Sequence, residues 1–321
     1  MRTRIVGVDA IDTIVDALAE GGPVALPTET VYGLAAPAAD PEAVRRIFEV
    51  KGRPADNPLI VHVADARAAF DLTREIPGYA RRLAEAFWPG PLTLVLPGAV
   101  DWPWVQADHP TLAVRVPAPE WLRTVLRRSG PLAAPSANRS GGPSPTTAEH
   151  CRQDLGGRIP LIVDGGACPG GMESTVVDCT GEHPVILRPG PITDADLRRA
   201  MGVQAAETTP SGVPPLESGP PSRAPSPGTR HPHYRPRARV ILVEDAGTVT
   251  CDDCMVIAPS PGAGVAHPRS YRSLEDLGRH LYAWLREADA LGARTIYVQR
   301  VPEGGLGTAL MNRLRKAAGE G

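Results

Sequence analysis

Lysine is almost missing from this chain of 321 residues: Lys51 and Lys316 are its only two, and arginine carries the rest of the positive charge. The two cations do not substitute freely, because an ammonium is a compact point charge with three rotatable donors and a guanidinium is a rigid planar fork. Position 51 is therefore one where an ammonium is expected to be needed, as at a phosphate, although a solvated helix end would also tolerate a lysine. Cysteine is scarce as well. Cys151, Cys168, Cys179, Cys251 and Cys254 are too few and too scattered for a disulfide framework, so free thiols are expected. "CDDC" (251–254) has zinc-like spacing but no second pair and no His-x-x-x-His beside it, which favours turn residues or a strand edge over a metal site. Charge of one sign is not in excess: 34 basic residues face 36 acidic ones, a net of −2, which excludes a broad electrostatic footprint for nucleic acid while leaving local patches open. A long apolar run is missing from the start, where Asp9, Asp12 and Asp16 interrupt the pattern; neither a signal peptide nor a membrane span is expected there, and the reading is a cytoplasmic protein.

Several chemistries are excluded by what the motifs lack. Neither lysine follows a glycine, so no Walker-type phosphate loop exists. No His-Glu-x-x-His or Gly-x-Ser-x-Gly occurs, and "GLGTAL" near the end lacks the third glycine of a dinucleotide loop.

What is present alternates between helical and strand periodicity. Ile11, Ile14, Val15 and Leu18 share a helical face, and "PVALPTETVYGL" reads as a strand running into a loop. Asp40 and Pro41 open a second helix with Val44, Ile47 and Phe48 inward, ending at Gly52, before a strand over about 59–63. Further strands are expected at 92–97, 111–117, 161–166, 174–179 and 184–190, with an amphipathic helix over 119–129. In "TLAVRVP" the alternation puts Leu112, Val114 and Val116 on one face and Thr111, Ala113 and Arg115 on the other, which is open to being wet. The expected fold class is α/β: a catalytic domain over 1–201 with a twisted sheet, a Pro-, Ser- and Gly-rich linker over 202–236, and a smaller, mainly parallel, Rossmann-like α/β domain over 237–321. In the last of these, "ARVILVE", "CMVIAPS" and "RTIYVQRV" are the strands, and Leu274, Leu277, Leu281, Leu285 and Ala288 form a helix face.

Six polar, glycine- and proline-flanked motifs sit at strand ends: "PTETVYGL", "KGRPADNPLIVHV", "TLAVRVP", "PSANRSGGPSPT", "ESTVVD" and "ILRPG". Loops at the ends of a rigid sheet are the usual place for binding groups. Lys51, Arg53, Arg115 and Arg188 offer positive charge; Thr30, Ser136, Asn138, Ser144 and Ser174 offer hydroxyl and amide partners, a set suited to a phosphorylated substrate. Singly, each of these has a plainer use in turns, caps or structural pairing.

These motifs, in this order and spacing, closely resemble the YrdC-like threonylcarbamoyl-adenylate synthases in their two-domain form. The likeness covers about 8–201, continues through "SPGTRHPHYRP", and extends in general character to the end. It implies a nucleotidyltransferase that joins L-threonine, bicarbonate and ATP into threonylcarbamoyl-adenylate, releasing pyrophosphate. The product then passes to a separate transferase complex that modifies tRNA to N6-threonylcarbamoyladenosine, and stable tRNA binding is not expected of the synthase. The resemblance places Thr30, His62, Arg115, Ser174 and, through its backbone, Ala134 on threonine. It places Lys51, Arg53, Asn57, Thr111, Ser136, Asn138, Ser144, Arg188 and Tyr234 on ATP, with Lys51, Arg53, Ser136 and Asn138 nearest the chemistry and the linker as a lid. Mg2+ is expected to ride on the phosphates, with no metal ligands from the protein. The rival readings are an RNA-binding module and a related carbamoyl-transfer enzyme.

Overall fold

The computed structural model describes residues 1–202 and 233–320. Ten strands make one mixed sheet: β1 (Arg4–Gly7), β2 (Val24–Leu26), β3 (Gly33–Pro37), β4 (Ile60–His62), β5 (Leu92–Pro97), β6 (Thr111–Arg115), β7 (Leu132–Ala133), β8 (Leu161–Asp164), β9 (Thr175–Asp178) and β10 (Val185–Arg188). Their order across the sheet is β1-β8-β2-β3-β7-β4-β6-β5-β9-β10. Around them lie α1 (Ile11–Ala19), α2 (Pro41–Lys51), α3 (Ala66–Asp71), α4 (Gly78–Phe87), α5 (Pro103–Gln106), α6 (Glu120–Ser129), α7 (Ala148–Leu155) and α8 (Asp194–Ala200).

A second sheet, β11 (Arg239–Val243), β12 (Cys251–Ala258), β13 (Val265–Ser270) and β14 (Thr295–Gln299), runs in the order β11-β14-β12-β13 with every pair parallel. It packs with α9 (Leu274–Leu291) and α10 (Leu306–Ala318). This is the small parallel domain that alternating strand and helix periodicity implies.

Local chemistry accounts for the elements that position the site. The Asp40 carboxylate caps α2 by accepting from the backbone N–H groups of Glu42 and Ala43, with Pro41 at the first helical position. Gly52 ends the helix at φ 62°, a left-handed conformation that costs glycine nothing. That turn delivers Lys51 and Arg53 to the ends of the strands. On the face of β6 opposite Leu112 and Val114, Ala113 packs with Ile60, Val95 and Val176, while Arg115, at the end of the strand, lines a cleft.

Two other expectations change. Cys251 and Cys254 are joined as a disulfide, their Cα atoms 5.8 Å apart at a register irregularity in β12, whereas Cys151, Cys168 and Cys179 are free and buried. β13 carries Pro268, which argues against a strand by propensity; it is tolerated because β13 is an edge strand paired only with β12. Of the proposed linker and lid, 203–232 lies outside the described residues.

The two domains meet at very short range. Gly171, at φ 66°, lies against α9 so closely that a Cβ there would stand 2.5 Å from the Arg279 Cα and carbonyl oxygen. No side chain fits that gap, and the contact sits two residues before Glu173 and three before Ser174.

Candidate active site

The strand ends and loops enclose a narrow cleft, about 600 Å3 when its open mouth is counted. Thr30, Arg53, His62, Arg115, Ala134, Ser136, Ser174, Arg188 and Tyr234, all expected from sequence, line it together. Lys51, Asn57, Thr111, Asn138 and Ser144 do not.

At one end Arg115 is the centre. Its Nη2 pairs with Glu29 Oε1 at 2.6 Å, Nη1 donates to the Thr30 hydroxyl at 3.0 Å, and Nε donates to the Gly90 carbonyl at 3.2 Å. A guanidinium has five N–H donors, so these three bonds fix the fork while leaving two for a carboxylate. Thr30 is held in turn by the loop after β2, where the hydroxyls of Thr28 and Thr30 share a hydrogen bond of 2.7 Å and Thr28 donates to the Val31 carbonyl. Ser174 Oγ lies 2.8 Å from the Thr93 hydroxyl and accepts from Arg188 Nη2 at 3.2 Å.

His62, at the end of β4, is buried, and its Nδ1 has no hydrogen-bond partner among the described residues. Burial, followed by the charge of Arg115, pushes its pKa down to about 3. The ring is therefore neutral at physiological pH and a poor general base there. In the unfolded chain it titrates near the ordinary value of about 6.5. Below that pH the unfolded state takes up a proton that the folded state refuses, so this stability is complete above about 6.5 and declines as pH falls toward 3. At pH 5 the expected loss is about 2 kcal/mol. Urea unfolding of His62→Gln should show a shallower fall in stability between pH 6 and 4; an unchanged slope would refute the assignment.

The other end is cationic. Arg53 Nη2 donates to the Pro58 carbonyl at 3.2 Å, while its buried Nε lacks a partner among the described residues. Burial and the neighbouring charge of Arg188 lower its pKa to about 10. Arg188 donates through Nε and Nη2 to the Ser174 carbonyl at 3.2 and 3.0 Å. Two guanidiniums close enough to oppose one another's charge suit a polyanion. Tyr234 lies over this region with φ 67°, a strained backbone for a non-glycine residue, anchored where Arg235 N–H donates to the Gly141 carbonyl at 2.8 Å.

Lys51, expected on ATP, lies outside the cleft lining. Its ammonium is buried beneath the loop after β7 and donates to the carbonyls of Ser136 and, at 2.6 Å, Asn138. Burial, then Arg53, holds its pKa well below the usual lysine range. Asn138 is also spent within that loop, donating to the carbonyls of Arg139 and Gly142, while its Oδ1 accepts from Ser136 Oγ at 2.6 Å. Ser144 donates to Glu173 at 2.5 Å, Asn57 is buried behind Arg53, and Thr111 stands at the far end of β6 from Arg115, opposite Pro97. Lys316, half-buried on α10, feels burial and the charges of Arg313 and Arg188, which lower its pKa to about 8.

Sequence reasoning missed Glu29, Glu173, His233 and Arg313. Glu29 and Glu173 sit inside "PTETVYGL" and "ESTVVD", where a glutamate beside hydroxyl residues was the available signal. Among the described residues no group of three His, Cys, Asp or Glu is placed to hold a metal ion, and no helix is long and apolar enough to cross a membrane.

A mixed ten-stranded sheet with a cleft at its strand ends, arginines at both ends of that cleft and a parallel α/β domain docked beside it define a two-domain α/β protein whose cleft suits anionic small molecules. Family comparison gives the particular kind. A Sua5, YciO and YrdC family model, described as telomere recombination, matches residues 16–190, and the model for the threonylcarbamoyl-AMP synthase C-terminal domain matches 192–319. The chain belongs to this family, in its two-domain form. It is 43% identical to the threonylcarbamoyl-AMP synthase of Pyrococcus abyssi, covering 94% of this chain and 91% of the relative, and 41% identical to that of Bacillus subtilis over the same shares. The crystal structure of P. abyssi Sua5 complexed with L-threonine superposes with a TM-score of 0.88 at 39% identity, over 99% of this chain and 98% of that one.

Proposed function

We propose that this cleft makes threonylcarbamoyl-AMP from L-threonine, bicarbonate and ATP. The observation that carries the reading is Arg115, immobilised by Glu29, Thr30 and Gly90 with two donors left over, sharing one cleft with Arg53 and Arg188. A carboxylate at the first and a triphosphate between the others set the two reactants side by side.

The threonine amine, once unprotonated, bonds to the carbon of bicarbonate with loss of water, or of carbon dioxide with loss of a proton from nitrogen, and becomes a carbamate. A carbamate oxygen then attacks the α-phosphorus, the bond to the bridging oxygen breaks, and pyrophosphate leaves. Arg115 holds the amino acid's carboxylate, the Thr30 and Ser174 hydroxyls and the neutral ring of His62 surround the remainder, and Arg53 and Arg188 stabilise charge on the departing phosphates. Tyr234 covers the nucleotide side and limits water at a mixed anhydride that hydrolyses easily. The described residues do not form a carboxylate cage for magnesium: Glu29 is paired with Arg115, and Glu173 is taken by Ser144, Tyr282 and Arg313. A magnesium ion would be held by the phosphates of its own nucleotide. Charge close to neutral fits a product handed to a separate tRNA-modifying transferase in the cytoplasm, without tight tRNA binding here.

The test is to incubate the protein with ATP, magnesium and bicarbonate, with each amino acid in turn, and to measure pyrophosphate and the adenylate. Threonine-dependent release of both is expected. Salt-sensitive RNA binding with no threonine-dependent pyrophosphate would overturn the reading in favour of a binding module.

A further inference from the structure

Among the described residues none beyond Tyr234 lines the cleft, yet both helices of the C-terminal domain reach the loops that do. Three arginines each take the carbonyl of a proline. Arg279 Nε donates to Pro169 at 3.2 Å, Arg286 Nη2 to Pro143 at 2.5 Å, and Arg313 Nη1 to Pro189 at 2.5 Å. These prolines stand just before Glu173 and Ser174, just before Ser144, and just after Arg188.

Arg313 goes deepest. It is 1% exposed, and its Nε lies 3.3 Å from Glu173 Oε2. Its guanidinium carbon is 5.7 Å from the centroid of the Tyr234 ring, which stacks on Tyr282 at 5.3 Å and 25°. The Tyr282 hydroxyl donates to the same Glu173 oxygen at 2.8 Å, and Ser144 Oγ binds the other at 2.5 Å. Among the described residues lining the cleft Glu173 is the one carboxylate, and it shares the lining with Arg188 and Tyr234. Burial raises its pKa, but the charges of Arg313 and Arg188 more than offset this, so it remains an anion.

We propose that Arg313 is a positioning residue for the nucleotide half of the site: it neutralises Glu173 and holds Tyr234 over the cleft, so that docking of the C-terminal domain sets the geometry in which ATP binds. The proposal rests on the synthase reading above. Without Arg313, a buried carboxylate next to the phosphates lacks a principal counter-charge and repels them, and Tyr234 loses its cationic neighbour. Threonine, held at the Arg115 end, is affected far less.

Steady-state kinetics of Arg313→Met, Arg313→Lys and the double variant Arg313→Met with Glu173→Gln test this in the full chain. In Arg313→Met the KM for ATP should rise at least about 30-fold while the KM for threonine stays within about threefold. Adding Glu173→Gln should recover at least about tenfold of the ATP effect, because the anion that needed neutralising has gone. A merely structural arginine would give no such recovery. An ATP KM within threefold of the parent, equal losses for both substrates, or no recovery in the double variant would each overturn the inference. If Arg313→Met fails to fold, Arg313→Lys decides: a rise of at least about threefold in the KM for ATP supports the proposal, and an unchanged value overturns it. A parent without threonine-dependent pyrophosphate release defeats the synthase reading itself, whereas an active parent with unmoved variants defeats this inference alone.

Discussion

Arg115→Met is expected to weaken L-threonine binding at least about a thousandfold, on the order of 4 kcal/mol. The size follows from what the guanidinium does in the cleft. It pairs with Glu29, which also accepts from the Ala118 backbone N–H at 3.1 Å, and it holds the Thr30 hydroxyl in place. Methionine removes the two donors left for the amino acid's carboxylate and at the same time leaves Glu29 as an uncompensated anion at the mouth of the threonine end. The loss of attraction and the gain of repulsion act in the same direction. Calorimetric titration of threonine without nucleotide isolates this step, and unfolding curves separate it from any loss of stability. An affinity within tenfold of the parent would show that the carboxylate is bound elsewhere.

The second large effect is expected at Lys51. Lys51→Met should lower turnover about a hundredfold or more, and Lys51→Arg, which keeps the charge, at least about tenfold, or roughly 1.4 kcal/mol in the barrier. The reason is now geometric. One ammonium ties the carbonyls of Ser136 and Asn138 together from below, while Ser140 N–H donates to the Lys51 carbonyl at 2.9 Å from above. Helix α2 and the serine-rich loop are thereby locked to each other. A guanidinium is wider and planar and does not fit this buried gap; methionine leaves two acceptors unpaired, with a stability cost of about 2 kcal/mol or more. Single-turnover measurement of pyrophosphate release reads the effect. Near-normal rates in Lys51→Arg would refute the need for an ammonium.

How far the sequence is legible can be judged from these same residues. Helix α2 follows from Asp40, Pro41 and Gly52, because caps and breakers act within a few residues and leave their signature in the local sequence. The strands with strong alternation, such as β5 and β6, are equally plain. Strands β3 and β7 are not: β7 is two residues long and owes its existence to neighbours on both sides, so no local period marks it. The site shows the same division. Arg115, Thr30, His62 and Ser174 converge as the motifs imply, but the burial of Lys51 away from the cleft depends on where a loop 85 residues further along the chain folds over it. Arg313 was illegible for the same reason. It sits in an ordinary amphipathic helix, and only the docking of a second domain brings it to Glu173.

The near-absence of lysine has a practical side. Both side-chain amines of the chain belong to one region: Lys51 is sealed beneath the cleft loop, and Lys316 lies one helical turn beyond Arg313 with a pKa brought down to about 8. Arginine carries the rest of the positive charge, so an acylating reagent meets no other side-chain amine. An ordinary amine-directed dye is thus confined, among side chains, to Lys51 and Lys316, and attachment at Lys316 would mark the neighbourhood of Arg313 and Glu173.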